Sequence, residues 1–183
     1  MNMKKIVFTL LIIFLIPTLV AAQKVLDINN SQLVILNYPM SFKNLTKQFD
    51  GKVIYIDLMA SWCKPCISEL KESKKMESYF KENNIVRLYI SLDNNNEEME
   101  KSIQFLKNDT LSGNFISLHS TEEPDGIFSK DIVALFMTDE NGNINISIPR
   151  YAIVNKKGEM VVKEAERPSN CAGLTKQLEK YNN

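Results

Sequence analysis

Histidine and tryptophan each occur once among the 183 residues, cysteine three times, and glycine and proline six times each. So little histidine and cysteine leaves few ways to assemble a metal centre, and with no repeat and no Gly-rich or Pro-rich stretch there is no visible linker between domains. Net charge is missing too, since 22 basic residues balance 22 acidic ones. A protein that coats nucleic acid needs a basic face large enough to release many counterions, and no segment supplies one. A long uncharged run that is mostly apolar stands at the N-terminus, where Ile6 to Ala22 follows Lys4 and Lys5.

That run has the form of an export signal. Val20 and Ala22 supply the small residues read by a signal peptidase, so the expected division is a signal peptide over 1–22 and one mildly acidic domain over 23–183. The alternative is a membrane anchor left uncleaved, but the run is short for a bilayer span and Pro17 interrupts it. No cysteine stands near its end to carry a lipid. The expected location is the periplasm of a Gram-negative type of cell, where disulfides persist and thiol redox state must be managed.

Within the domain, Val53 to Met59 is a short β-branched apolar run that reads as a buried strand. A helix should follow, with Ile67, Leu70, Met76 and Phe80 on one face, Glu69, Lys71, Glu72, Lys74 and Lys75 on the other, and Asn83 and Asn84 at its end. Ile85 to Leu92 is a second strand, Glu97 to Lys107 a helix, Phe115 to Leu118 a third strand, and Ile127 to Phe136 another helix. Asn141 and Gly142 make a turn. Tyr151 to Val154 and Met160 to Val162 flank Gly158 as an antiparallel hairpin, and Ser169 or Asn170 caps a last helix with Cys171, Leu174, Leu178 and Tyr181 on one face. Strands alternating with helices, then a hairpin and a closing helix, imply an α/β domain whose mixed sheet is covered on both faces.

Chemistry concentrates at Trp62-Cys63-Lys64-Pro65-Cys66, where the first strand meets its helix. A cysteine at a helix N-terminus faces unpaired backbone N–H groups and the positive end of the dipole, which favours thiolate, so Cys63 is the expected nucleophile. Two intervening residues bring Cys66 within bonding distance across the first turn, and its more buried position suits it to resolve a mixed disulfide. Pro65 is tolerated because it lies in that first turn. Lys64 favours the Cys63 thiolate and thereby the dithiol form, an oxidising influence. Asp57, the one charged residue in its apolar strand, opposes it if buried beneath the sulfurs, and can take the Cys66 proton during exchange.

The segment Asp57-Leu58-Met59-Ala60-Ser61-Trp62-Cys63-Lys64-Pro65-Cys66 resembles the active-site segment of the thioredoxin superfamily, and Ile148-Pro149 ahead of the Gly158 hairpin resembles a second landmark of that family. The resemblance covers roughly Leu33 to Tyr181. It implies a thioredoxin-like fold and a thiol-disulfide oxidoreductase cycling through a Cys63–Cys66 disulfide, without cofactor or metal. It further implies a cis Pro149 facing the sulfurs and an Ile148 whose backbone pairs with substrate. The export signal and the long stretch from Cys66 to Pro149 resemble the exported branch typified by TlpA and ResA. That branch carries an inserted strand and helix, here expected between Leu92 and Phe136, and mostly reduces its clients, for example apocytochrome c thiols. The implied partners are protein thiols and disulfides and an upstream membrane or extracytoplasmic thiol donor, with the enzyme itself a monomer. Lys64 stands where thioredoxin has glycine and Arg150 where it has threonine, and potentials within the fold span about 150 mV, so the direction of electron flow does not follow from the fold.

Rival readings are a disulfide-forming oxidant of the same fold, a peptide-binding module without activity, and a zinc site completed by Cys171 and His119. The zinc reading lacks a second two-ligand cluster. Cys171 reads as a buried, inert small hydrophobe and His119 as a strand-end residue without a role. Asp139-Glu140-Asn141-Gly142-Asn143 opens like a calcium loop, but its glycine is misplaced and Arg150 falls where the last ligand should be, so it reads as a turn.

Overall fold

A computed structural model describes residues 24–28, 31–36, 41–119 and 126–183. The expected signal segment, 1–22, lies outside the described residues. Among those described, no helix is long and apolar enough to cross a membrane.

Two strands with every residue buried form the centre of the sheet, β3 (Ile54–Met59) and β4 (Val86–Ser91), paired in parallel. Continuous Val, Ile, Leu and Tyr suit a strand covered on both faces. Beyond β4 lies β5 (Gly113–Ser117), also parallel, and then a hairpin of β1 (Lys24–Ile28) and β2 (Ser31–Ile35). On the other side β3 pairs antiparallel with β6 (Arg150–Val154), which pairs antiparallel with β7 (Met160–Val162). The order is β1-β2-β5-β4-β3-β6-β7.

The chain passes from β3 to β4 through α2 (Lys64–Lys75) and α3 (Glu77–Glu82), and from β4 to β5 through α4 (Asn96–Asn108). Both steps move the same way across the sheet, so right-handed connections put these helices on one face. The last helix, α6 (Cys171–Asn182), joins them there, burying Leu174 and Leu178 with Tyr55, Met76, Phe80, Tyr151 and Ile153. Across the sheet α1 (Phe42–Lys47) meets α5 (Ile127–Ile132) through the Phe42 N–H, which donates to Asp131 Oδ2 at 2.8 Å. The inserted strand and helix expected between Leu92 and Phe136 are β5 and α4.

Three expectations need correction. The helix after the cysteines breaks at Met76 (φ −98°, ψ 4°). On an unbroken helix Leu70 and Met76 would point roughly 120° apart, at about 100° per residue; the break turns both Met76 and Phe80 into the core. Glu69, placed on the solvent face by periodicity, is buried, because Ser169 donates to it from its N–H at 2.9 Å and its hydroxyl at 2.8 Å. Cys171 is exposed, since α6 buries residues only from Leu174 onward and leaves its first turn in solvent. The helix expected over Ile127 to Phe136 is α5 continued by a π-helical turn, Val133–Met137, that buries Phe136 and Met137.

Gly113 opens β5 at φ +147°, and a Cβ there would meet Tyr89 Cε2 at 2.9 Å and the Arg87 carbonyl at 3.0 Å. Gly113→Ala is expected to destabilise the fold by about 1–3 kcal/mol, read as a lower urea midpoint with an unchanged m-value; an unchanged midpoint would show that the sheet yields freely there.

Candidate active site

β3 ends at Met59, and four residues later Cys63 is the N-cap of α2. Its backbone is extended (φ −85°, ψ 91°), its N–H donates to the Ala60 carbonyl at 3.0 Å, and its Sγ accepts the Cys66 N–H at 3.2 Å. The sulfur thus occupies the place of a capping oxygen, at the positive end of a twelve-residue helix. Pro65 lies in the first turn, where its missing N–H is not needed. Cys63 and Cys66 form a disulfide with Cα atoms 5.3 Å apart. Cys63 is 5% exposed and Cys66 1%, whereas Trp62 is 49% exposed and Lys64 and Pro65 face solvent.

A second acid, not singled out in sequence, holds the loop before Cys63. Asp93 follows β4 and is 2% exposed. Its Oδ1 accepts the Ser61 N–H at 2.8 Å and the Ser61 hydroxyl at 2.9 Å; its Oδ2 accepts the hydroxyls of Ser91 at 2.6 Å and Ser102 at 2.5 Å. One carboxylate therefore ties the end of β4, α4 and the Ala60-Ser61-Trp62 loop together. An acid just past the carboxyl end of a parallel strand, where sites gather in such sheets, was the available signal.

Asp57 is the opposite case. It is 3% exposed on β3, on the face covered by α2, and its Oδ1 has no hydrogen-bond partner. Burial above all, and then the negative charge of Glu69, push its pKa up to about 8, against the opposing pull of Arg87. Arg87 is itself buried, ion-paired to Glu77 and donating to Ser112 Oγ at 3.0 Å.

The Ile148–Pro149 peptide is cis. Arg150 pairs with Leu58, so Pro149 lies beside Met59, at the end of the sheet where the cysteine loop leaves. Arg150 holds this approach in place, donating from Nε to the Ser147 carbonyl at 2.8 Å and from Nη1 to the Phe136 carbonyl. Beside Trp62 runs a groove of about 490 Å³ lined by Leu92, Leu118, Val133, Met137 and Ile146, with His119 at its margin. The Asp139 segment is a turn, its Oδ1 accepting the N–H groups of Asn141 and Asn143 at 2.8 Å. Among the described residues no three His, Cys, Asp or Glu side chains are grouped to hold a metal ion.

The sequence profile of the Redoxin family matches residues 30–179. A crystal structure described as a thiol-disulfide oxidoreductase from Bacteroides vulgatus is similar at 25% identity and a TM-score of 0.53, over 73% of this chain and 81% of that one. The fold is shared by a thiol:disulfide interchange protein from Bacteroides sp. (22% identity, TM-score 0.52, 73% and 75% of the chains). It is shared also by a thioredoxin family protein from Chlorobium tepidum (15%, 0.55, 75% and 85%). No curated protein matches the chain.

Two predictions rest on the buried acids. With its folded pKa near 8, against about 4 when unfolded, Asp57 stays protonated in the folded protein through a window in which the unfolded chain has lost that proton. Its contribution to stability therefore falls as pH rises from about 4 to about 8. Asp57→Asn should stabilise the oxidised protein by a few kcal/mol at pH 8 and hardly at all near pH 4, as measured by denaturant unfolding. A gain independent of pH would mean that Asp57 is not a raised acid. Asp93→Ala strands four donors and should lower stability by roughly 2–4 kcal/mol, whereas Asp93→Asn keeps one acceptor oxygen and should lose less; equal losses would show that acceptance by this carboxylate is not what holds the loop.

Proposed function

Because the chain belongs to the Redoxin family and is a thiol-disulfide oxidoreductase of thioredoxin-like fold, we propose that it acts outside the cytoplasm as a TlpA/ResA-like reductant of protein disulfides. The observation that carries this reading is the placement of Cys63 Sγ at the N-cap of α2, at the same end of the sheet at which the cis Ile148–Pro149 peptide leads into β6. In this reading the reduced enzyme attacks a substrate disulfide with the Cys63 thiolate, forming a mixed disulfide and releasing one substrate thiolate, which takes up a proton. Asp57, in its ionised form, accepts the proton of Cys66, and the Cys66 thiolate attacks Cys63 Sγ. The second substrate thiolate leaves, so the substrate gains two electrons and the Cys63–Cys66 disulfide forms. An upstream membrane or extracytoplasmic thiol donor restores the dithiol.

The reducing direction is supported by where the opposing charges lie. Lys64 is exposed, and water and salt screen its ammonium. Asp57 is buried, and in the molecules in which it is ionised its unscreened carboxylate disfavours thiolate and hence the dithiol form, which lowers the potential, the more so as pH rises toward about 8. Ile148 offers its backbone, Pro149 shapes the approach, and the apolar groove beside Trp62 suits an extended, apolar segment around the target cysteines, as in an apocytochrome c. The signal segment 1–22 would bring a monomeric enzyme to the periplasm, cleaved or as a membrane tether.

Titration of the pair against dithiothreitol or glutathione, read by the fluorescence of Trp62, the single tryptophan, should give a potential near about −270 mV, as for a thioredoxin. A value near about −120 mV would make the protein a disulfide-forming oxidant, with Lys64 prevailing over Asp57. Cys63→Ala should abolish insulin reduction, and Cys66→Ala should accumulate substrate covalently on Cys63; residual activity in Cys63→Ala would overturn the assignment of the nucleophile.

A further inference from the structure

Asp57 is flanked in register by a phenol on each side. Its partner on β4 is Tyr89 and its partner on β6 is Tyr151. In-register residues of neighbouring strands project to the same face, so Tyr89, Asp57 and Tyr151 form a row across the sheet beneath the helices. All three are buried, and Asp57 Oδ1, Tyr89 Oη and Tyr151 Oη each lack a hydrogen-bond partner. Single orphans of this kind are rare in folded proteins, and three in one row beneath the helix that carries the redox pair call for a role.

The rings are placed by packing rather than by their hydroxyls. Tyr151 stacks on Tyr55 at 5.6 Å with planes 2° apart, and Tyr55 is anchored by its own hydroxyl, which donates to the Glu166 carbonyl at 2.9 Å. Tyr89 lies against Gly113, with the Arg87 guanidinium 6.0 Å from its ring centre. Ser73 eases the Tyr89 pKa downward slightly without a hydrogen bond of normal geometry. Burial is the main cause that pushes Tyr89 up to about 12 and Tyr151 well above its ordinary value, so both remain proton donors at neutral pH. The groups facing Asp57 are Tyr55 from its own strand, Arg87 and Tyr89 from β4, Tyr151 from β6 and Glu69 from α2. Glu69, above the row, already receives both Ser169 donors, whereas Asp57 Oδ1 receives none.

We propose that Tyr89 and Tyr151 are positioning residues for Asp57, donating to its carboxylate, by a small shift of the ring or through one enclosed water, as it ionises to receive the Cys66 proton. The proposal rests on the reading that Asp57 serves Cys66. A donor to a charged carboxylate favours the charged form, so the two phenols lower the pH at which Asp57 becomes a base.

The test follows the second step of oxidation by 5,5′-dithiobis(2-nitrobenzoate) in a stopped flow, on a Cys171→Ser background because Cys171 is exposed and free. Cys63 attacks the reagent and releases one nitrothiobenzoate. Cys66 then gives its proton to Asp57, attacks Cys63 Sγ and releases the second, the reagent taking two electrons as the protein disulfide forms. Tyr89→Phe and Tyr151→Phe keep the rings; each should raise the pH midpoint of the second release by about one unit, and the double variant by more. Asp57→Asn should remove that midpoint. If Asp57→Asn removes it while both Phe variants leave it in place, the phenols serve packing alone and the proposal fails with the Asp57 reading intact. If Asp57→Asn leaves the profile unchanged, the Asp57 reading fails and takes the proposal with it.

Discussion

A backbone N–H from Cys66 donated to Cys63 Sγ is the interaction on which the site depends. It exists because four residues separate β3 from α2, and because Cys63 takes the extended conformation of an N-cap while Pro65, in the first turn of the helix, needs no donor of its own. Any shift in where the helix starts would move the sulfur away from the helix terminus and lose the field that favours thiolate. The remaining structure fixes that starting point. β3 is clamped between β4 and β6, Asp93 ties the intervening loop to β4 and α4, and Arg150 holds the approach to the cis peptide.

The two buried acids of the site show how hydrogen bonding decides what a carboxylate does. Asp93 accepts four hydrogen bonds and serves as a structural knot. Asp57, on β3 and just as buried, has an oxygen with no partner, and its pKa rises. Satisfied, a buried acid organises its surroundings; unsatisfied, it holds a proton that can be exchanged.

Much of this was legible in the sequence, for identifiable reasons. Apolar runs such as VIYIDLM and IVRLYISL can be buried only at the middle of a sheet, and the Trp-Cys-Lys-Pro-Cys segment at a strand–helix junction carries its chemistry in its spacing. Glu69 and Ser61 were not legible as parts of a site, because their partners are remote in sequence, 100 residues apart for Glu69 and Ser169, and Tyr89 and Tyr151 meet Asp57 only through the register of the strands. Periodicity assigns a side chain to a face of its own helix, not to what that face meets; hence Glu69 is inside and Cys171 outside. The β1–β2 hairpin and the six-residue α1 are too short to carry a period of their own.

The far edge of the sheet has a bearing on how such a protein lives among its clients. β7 is only three residues long, and its register with β6 shifts between Ile153 and Val154. A strand this short and irregular presents few consecutive unpaired N–H and C=O groups, which is how exposed sheet edges are kept from recruiting other chains. An enzyme of protein thiols meets partners with loose, extended segments, and a long flat border would capture them by zippering. With this border blunted, a spent client is not held there by a strand that must be peeled away.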